Sequence, residues 1–286
     1  MSIKKPAVTK SQNMTLSRDF SPSCVAIYVT SFDGYEDLWS PFFECFWDNW
    51  PDCPFKVYLG GNEKGFCDDR VVFLKAGNGK CWSDRVKEHL SEINEEYVVM
   101  FLEDWFLTKK VDTENILHLM SMMSRLDGKM LRLVPDPRPD YSVGGCPEFG
   151  LMGLGTINRT NTHATVWDKN TLLGLLRSGE SLWEFEVYGA ARSNCLSGGV
   201  YCVWQRSMHY LGAVDAGKFT RNAVRVFTRR NVTLDLSRRD VKGMSETFSW
   251  RIRNFVTNLM RLFLPARLRQ KLRGTISGPN AYQLRR

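Results

Sequence analysis

Residues 97–107, YVVMFLEDWFL, set two adjacent carboxylates, Glu103 and Asp104, near the end of an apolar run that otherwise reads as a buried strand. Burying a carboxylate is costly unless a partner or a metal compensates it. Neighbouring strand residues point to opposite faces, so both can serve one site only if the strand ends there and the backbone turns. One carboxylate could then bind a divalent cation while the other positions a ligand hydroxyl or supports the turn. Mg²⁺ and Mn²⁺ are held in this way, by one or two carboxylates plus substrate phosphate oxygens. The structural alternative is a helix N-cap at Asp104 with Glu103 in solvent. The two residues by themselves leave both readings open.

The elements that must position the pair are read from hydrophobic period and turn residues. CVAIYVTSFDGYEDLW opens as a short β-branched and aromatic run and continues into Ser, Asp and Gly, a buried strand ending in a loop. SPFFECFWDNW carries apolar residues at helical spacing and stops before Pro51. FKVYLGGN and RVVFLKAG predict two further strands, each closed by glycine. DRVKEHLSEIN, with Val86, Leu90 and Ile93 on one face, predicts an amphipathic helix leading into the 97–107 strand. Later, MLRLVPD and GVYCVWQ predict strands, PDPRPDYSVGG a loop, and helices fall around 169–177 and 182–192. Alternating strands and helices predict an α/β fold, a mostly parallel mixed sheet flanked by helices. Ligands of such sheets bind outside the carboxyl ends of the strands. TSFDGYED and EDW both fall at such ends and should share one crevice.

Composition narrows the function classes. The 286 residues can bury a full core. The eight cysteines form no C-x-x-C pair and there are four histidines, which gives a zinc site little support. Residues 1–22 are polar and without hydrophobic period, an expected disordered segment and not a signal peptide. No stretch approaches the ~20 apolar residues that cross a bilayer, so the chain reads as cytoplasmic with reduced thiols. Lys218–Arg286 holds 17 Lys and Arg against 3 Asp and Glu, which leaves residues 1–217 with 22 against 28. An acidic body with a basic tail argues against a nucleic-acid partner, whose patch should sit on the body, and suits an acidic surface such as a membrane. Residues 23–243 form the expected folded domain and 244–286 a basic amphipathic helical tail. In that tail Phe248, Ile252, Phe255, Val256, Leu259 and Phe263 share one helical face. The tail could lie on a membrane or pack its apolar stripe onto the body.

WSDRVKEHLSEINEEYVVMFLEDWFL resembles the nucleotide-sugar-binding half of GT-A-fold (Rossmann-like) glycosyltransferases, in particular glycosyltransferase-like proteins of bacterial surface-polysaccharide gene clusters. TSFDGYEDLWSPFF and GESLWEFE are similar to the same group, so three separated blocks within residues 24–220 carry the likeness. The resemblance implies a nucleotide-sugar donor, with Thr30, Ser31 and Asp33 near base and ribose, and Asp84 facing ribose or sugar. It sets Asp104, with Glu103, where the family's Asp-x-Asp motif binds Mg²⁺ or Mn²⁺ and the diphosphate. This chain has Glu-Asp-Trp there, so Asp104 alone could hold the metal, or the metal could be dispensable. Asp84 is equally suited to an N-terminal helix carboxylate facing the helix dipole.

Inverting transfer of a sugar needs a base for the acceptor hydroxyl, and Glu184 and Glu186 are the candidates. Ser181-Leu-Trp-Glu184 has the spacing of a capping box, a purely structural job for Glu184, and the reading leans to Glu186. A retaining enzyme needs no such base. Trp167 and Trp183 could form an acceptor platform, although nine tryptophans make core packing the commoner role. His209 and Lys218 could neutralise diphosphate, with an ordinary surface position the favoured alternative. His89 and His118 sit in predicted helices with no evident partner, and the role of His163 is open. The acceptor implied is a polysaccharide or lipid-linked oligosaccharide. Competing readings are a catalytically degenerate glycan-binding or scaffold protein, a metal-dependent phosphoryl hydrolase lacking any Gly-rich phosphate loop, and a membrane-recruited adaptor.

Overall fold

The computed structural model describes residues 20–156 and 158–244. Apart from residues 20–22 and 244, the expected disordered N-terminal segment and the basic tail lie outside the described residues.

The first half runs β1 (Val25–Thr30), α1 (Trp39–Asn49), β2 (Lys56–Gly61), β3 (Val71–Lys75), α2 (Trp82–Glu92), β4 (Tyr97–Leu102) and β5 (Trp105–Leu107). The second half runs α3 (Thr113–Arg125), β6 (Gly128–Arg132), β7 (Tyr141–Val143), β8 (Cys146–Leu151), β9 (Thr165–Asp168), α4 (Lys169–Leu175), α5 (Leu182–Glu184) and α6 (Ala190–Arg192). It closes with β10 (Gly199–Val203), β11 (Tyr210–Gly212), β12 (Val214–Asp215), β13 (Lys218–Phe219) and α7 (Arg221–Thr228).

Nine strands form one sheet in the order β3-β2-β1-β4-β9-β6-β10-β8-β7. Neighbours β1–β4 pair in parallel, and within this sheet only β8 and β9 run against the rest. The chain is thus α/β, with a mixed sheet whose strands mostly share one direction. Side-chain alternation splits β1 between two cores: Val25, Ile27 and Val29 face one, Ala26 and Tyr28 the other. Helices α1, α3 and α7 cover the first face, and α2, α4 and the 182–192 run cover the second. Burial on both faces explains why β1 and β4 read as continuous apolar runs.

Several local outcomes bear on the site. The 97–107 run is two strands with a turn at Glu103–Asp104, the break that two adjacent carboxylates need. Past that turn the chain leaves the main sheet, and β5 pairs antiparallel with β11. Helix α3, capped by the Asp112 side chain on Asn115 N–H, is the helix expected around His118, whose bounds the sequence did not give. The segment expected to be a loop, PDPRPDYSVGG, contains the short edge strand β7. The predicted 182–192 helix is interrupted by a π turn at Phe185–Gly189.

His89 has partners after all. Its Nδ1 accepts the Tyr28 hydroxyl at 2.8 Å, and its Nε2–H donates to the Gly61 carbonyl at 3.0 Å. The imidazole occupies the space into which a Cβ on Gly60 would project, so glycine there lets α2 lie close on β2. Burial pushes His89 down to about 4, and it is neutral at pH 7.

Candidate active site

Thr30 and Leu102 are register partners, so β1 and β4 end side by side. Beyond them the 33–38 loop and the Glu103–Asp104 turn face one another, close enough that both carboxylates act on the Tyr35 hydroxyl. The two polar loops therefore lie at one edge of the sheet. Glu103 is 7% exposed. Burial raises its pKa well above the usual range, and the neighbouring Asp104 charge adds to the effect. Burial also pushes Asp104 up, to about 7, with Asp215 adding to the rise and Arg239 opposing it. The backbone carbonyl of Asp104 accepts Ala213 N–H at 2.7 Å, which brings Asp215 to the turn.

A cationic strap crosses this edge. Arg239 grips Asp37 with Nε (2.6 Å) and Nη2 (2.8 Å), donates to the Gly34 carbonyl (2.9 Å), and lies 4.1 Å over the Tyr35 ring. Arg238 pairs with Glu36 at 2.6 Å, and Lys242 pairs with Asp215. Backbone bonds between Phe219 and residues 240 and 242 hold the strap down. From the other side Arg85 lies 5.5 Å from the Phe32 ring, and its charge also acts on Glu103. Its buried Nε finds no hydrogen-bond partner among the described residues.

The other candidates divide by what already holds them. Thr30 and Ser31 are buried, and Ser31 Oγ accepts the Trp39 indole N–H at 2.7 Å. Asp33 accepts the backbone N–H groups of Asn62 (2.8 Å), Glu63 and Lys64 (both 3.0 Å). Partial burial opposes its ionisation, but these bonds outweigh it and hold the carboxyl below its usual range. Asp33 therefore ties the loop after β1 to the loop after β2. Asp33→Ala should cost about 2 kcal/mol or more, since three N–H groups lose a charged acceptor; a urea midpoint equal to wild type would remove this latch role. Asp84, in the first turn of α2, accepts Cys81 Sγ–H at 2.8 Å and Gly179 N–H at 3.3 Å, joining α2 to the 177–180 loop.

Glu184 completes a capping box: Ser181 N–H donates to its carboxylate at 2.8 Å, and Glu184 N–H donates to Ser181 Oγ at 3.3 Å. Glu186 lies in the π turn, and such interruptions favour functional sites because they re-aim side chains. Its Oε1 accepts Thr162 N–H (3.2 Å) and Oγ1–H (2.8 Å). The next residue, His163, accepts Leu102 N–H on Nδ1 at 3.2 Å. Residues 162–163 thus connect Glu186 to the end of β4, directly before the carboxylate pair. His163 is packed among Phe101, Trp105 and Tyr210, with the Tyr210 centroid 4.2 Å away and nearly perpendicular. Burial pushes it down to about 3.

Trp183 is 52% exposed on the same helical run as Glu186, whereas Trp167 is wholly in the core with its indole N–H on the Asn161 carbonyl. Trp167 therefore offers no platform face. His118 pairs with Glu148 at 3.2 Å, and His209 is held below its usual range by partial burial and by Lys109 and Arg206. Lys218 opens β13. Arg85, Thr162, Asp215 and Arg239 were not singled out from the sequence. Nothing in the SRRD spacing ties Arg239 to a loop some 200 positions earlier. Thr162 becomes visible only once Glu186 is placed.

The oxygen-only donor set suits Mg²⁺ or Mn²⁺ and not zinc. Glu103 and Asp104 would supply one or two ligands, since no group of three or more His, Cys, Asp and Glu among the described residues could hold a metal. A divalent cation would also offset the burial cost of the two charges.

No protein-family model matches the chain, and no curated protein matches it. Among solved structures it is similar to Staphylococcus aureus TarS 1–349, at 12% identity and a TM-score of 0.41 over 65% of this chain and 59% of that one. It is similar to S. aureus TarS at 11% identity and a TM-score of 0.44, over 74% of this chain and 40% of that one. The complex of TarS 1–349 with UDP-GlcNAc gives 12% identity and a TM-score of 0.39, over 84% and 76%. The chain thus resembles TarS while spanning 59% and 40% of the lengths of the first two structures.

Proposed function

We propose that the protein is a glycosyltransferase that moves a sugar from a nucleotide-sugar donor to a polysaccharide or lipid-linked oligosaccharide acceptor. The observation that carries this reading is the link from Glu186 through Thr162 and His163 to Leu102, which puts a held carboxylate at the edge where Glu103 and Asp104 emerge. In an inverting transfer Glu186 takes the acceptor hydroxyl's proton as that oxygen bonds the anomeric carbon. The bond from that carbon to the diphosphate breaks, and the nucleoside diphosphate leaves with the electron pair. When bound, Mg²⁺ or Mn²⁺ would neutralise the diphosphate charge. Asp104, with Glu103, is the group that would hold it. Arg85 supplies a fixed positive charge that acts on Glu103, and Trp183 lies half exposed on the same helical run as Glu186.

Arg239 is clasped by Asp37 directly beside the pair, so a donor entering here exchanges part of that clasp for its own phosphate oxygens. Calorimetric titration of UDP, GDP, CMP and dTDP, with and without Mn²⁺, tests the reading in wild type and Asp104→Ala. We expect one nucleotide to bind in the micromolar range with Mn²⁺, and Asp104→Ala to abolish it. Binding unaffected by metal removes Asp104 from the metal role. No binding of any nucleotide to the folded protein replaces the transferase reading with the scaffold one.

A further inference from the structure

The described body carries a basic face that the glycosyl-transfer reading does not use; Glu44 and Asp48 of α1 lie at its margin, by Arg230 and Lys110. Arg221, Arg225 and Arg229 recur at four-residue intervals along α7 and its C-cap, so they line one helical face, and all three are exposed. Like charges at this spacing repel, and a merely solvated face normally interleaves acids. Here no Asp or Glu occurs between Asp215 and Asp235. The opposite side of α7 is anchored by Phe227, fully buried with its ring 5.0 Å from that of Phe106.

The face continues onto a second segment. Arg230 donates to the Thr108 carbonyl at 2.7 Å, which sets the exposed Lys109 and Lys110 beside the end of α7. Thr108 N–H in turn bonds the His209 carbonyl, and His209 feels both Lys109 and the exposed Arg206. The cations therefore gather from three stretches of chain.

We infer that this face, built on Arg221, Arg225, Arg229, Lys109, Lys110 and Arg206, docks the protein on an anionic lipid bilayer surface. Charge complementarity fits phosphate headgroups. The chain also leaves the same C-terminal segment with Leu236 (49%) and Met244 (75%) exposed. The 42 residues that follow carry nine Lys and Arg against one Glu. Basic residues with interspersed apolar ones suit a headgroup layer. A nucleic acid is the poorer occupant: Phe227, the aromatic residue of α7, is buried and leaves no ring there for base stacking. Phe106 of β5 supports α7 two residues after Asp104, so docking would bring the carboxylate edge near the membrane. The inference does not depend on the reaction proposed above.

The test is co-sedimentation of the full chain with vesicles of phosphatidylcholine, or of phosphatidylcholine with 30% phosphatidylglycerol as ~0.3 mole fraction of charge. Wild type should bind only the anionic vesicles and release them at high salt, where surface charge is screened. Arg221→Glu/Arg225→Glu/Arg229→Glu should weaken that binding by about a hundredfold or more, at about fivefold for each lost headgroup cation. The matched control, Lys56→Glu/Lys75→Glu/Arg125→Glu, changes charge equally elsewhere on the body and should bind like wild type. A second variant with glutamine at the three arginines of α7 should fall between them, and circular dichroism shows whether each is folded. Wild-type binding by folded α7 variants would overturn the proposal in favour of the distal tail alone. Equal binding to neutral vesicles, or tighter binding to an RNA oligonucleotide than to anionic vesicles, would overturn it as well.

Discussion

Glu186→Gln should lower turnover about 10²- to 10⁴-fold, the usual contribution of a positioned general base, while nucleotide binding stays as in wild type. The variant keeps the shape and one acceptor oxygen, so the two bonds from Thr162 can persist and the fold should not suffer. Glu184→Gln should behave in the opposite sense. It weakens a helix cap worth about 1 kcal/mol, lowering the melting temperature while leaving turnover per folded molecule near wild type. Thr162 is a positioning residue: Thr162→Val should reduce kcat about tenfold with KM unchanged, and Thr162→Ser should restore it. Full activity in Glu186→Gln would remove the base role and leave a retaining reaction, which needs no base. Equal losses in both glutamine variants, tracking their melting temperatures, would mean that both glutamates serve only the helix.

Replacing both members of the carboxylate pair, Glu103→Gln/Asp104→Asn, should stabilise the protein by about 1–3 kcal/mol at pH 8 while abolishing metal-dependent nucleotide binding. The sign follows from linkage. In the fold Asp104 titrates near 7 instead of its usual 3.8, and Glu103 is raised in the same direction. Between those pH values the folded state binds more protons than the unfolded chain. Stability contributed by the pair is therefore full in acid and lost as pH rises through about 7. Neutral isosteres remove that loss. His89 and His163 act oppositely: with folded values of about 4 and about 3 against 6.5, they withdraw stability as pH falls below 6.5. The wild-type profile should accordingly be shallow between pH 4 and 6.5, where the two trends offset. The double variant should show the histidine slope unmasked, with a steeper loss of stability in acid. Urea midpoints at pH 4.5, 6 and 8 measure both. If the variant is less stable than wild type at pH 8, Arg239 depends on the pair as its counter-charge, and the carboxylates are structural.

The first four strands and both helices among them could be read directly, because each is a run of one hydrophobic period closed by Gly, Pro or a polar cluster. The turn at Glu103–Asp104 was one of two arrangements the sequence left open, and the burial of Glu103 removes the other, which set it in solvent. The capping box at Ser181–Glu184 needed only a three-residue spacing. A helix around His118 was expected, but its bounds were not, because TENILHLMSMMSR mixes Met and Ser into a weak stripe that blurs the buried side formed by Ile116, Leu119, Met120 and Met123. Strand β8 escaped, and the segment after His163 read equally as strand or helix before β9 settled it, because GCPEFGL and ATVWD are short and pairing with distant partners supplies most of what makes them strands.

By itself, then, the sequence determined the α/β class, the parallel first half of the sheet and the place of the acidic turn at a strand's carboxyl end, since each rests on local period, local turn chemistry or local charge. Only the tertiary structure decided which groups share that edge. It set Arg239 across the 34–37 loop, brought Asp215 to Asp104, and tied Glu186 to Leu102 through Thr162 and His163. It buried Trp167 and left Trp183 half exposed. These contacts join segments from about 20 to over 200 positions apart. Their energies depend on burial and distance in the folded chain, and no spacing along the sequence encodes either quantity.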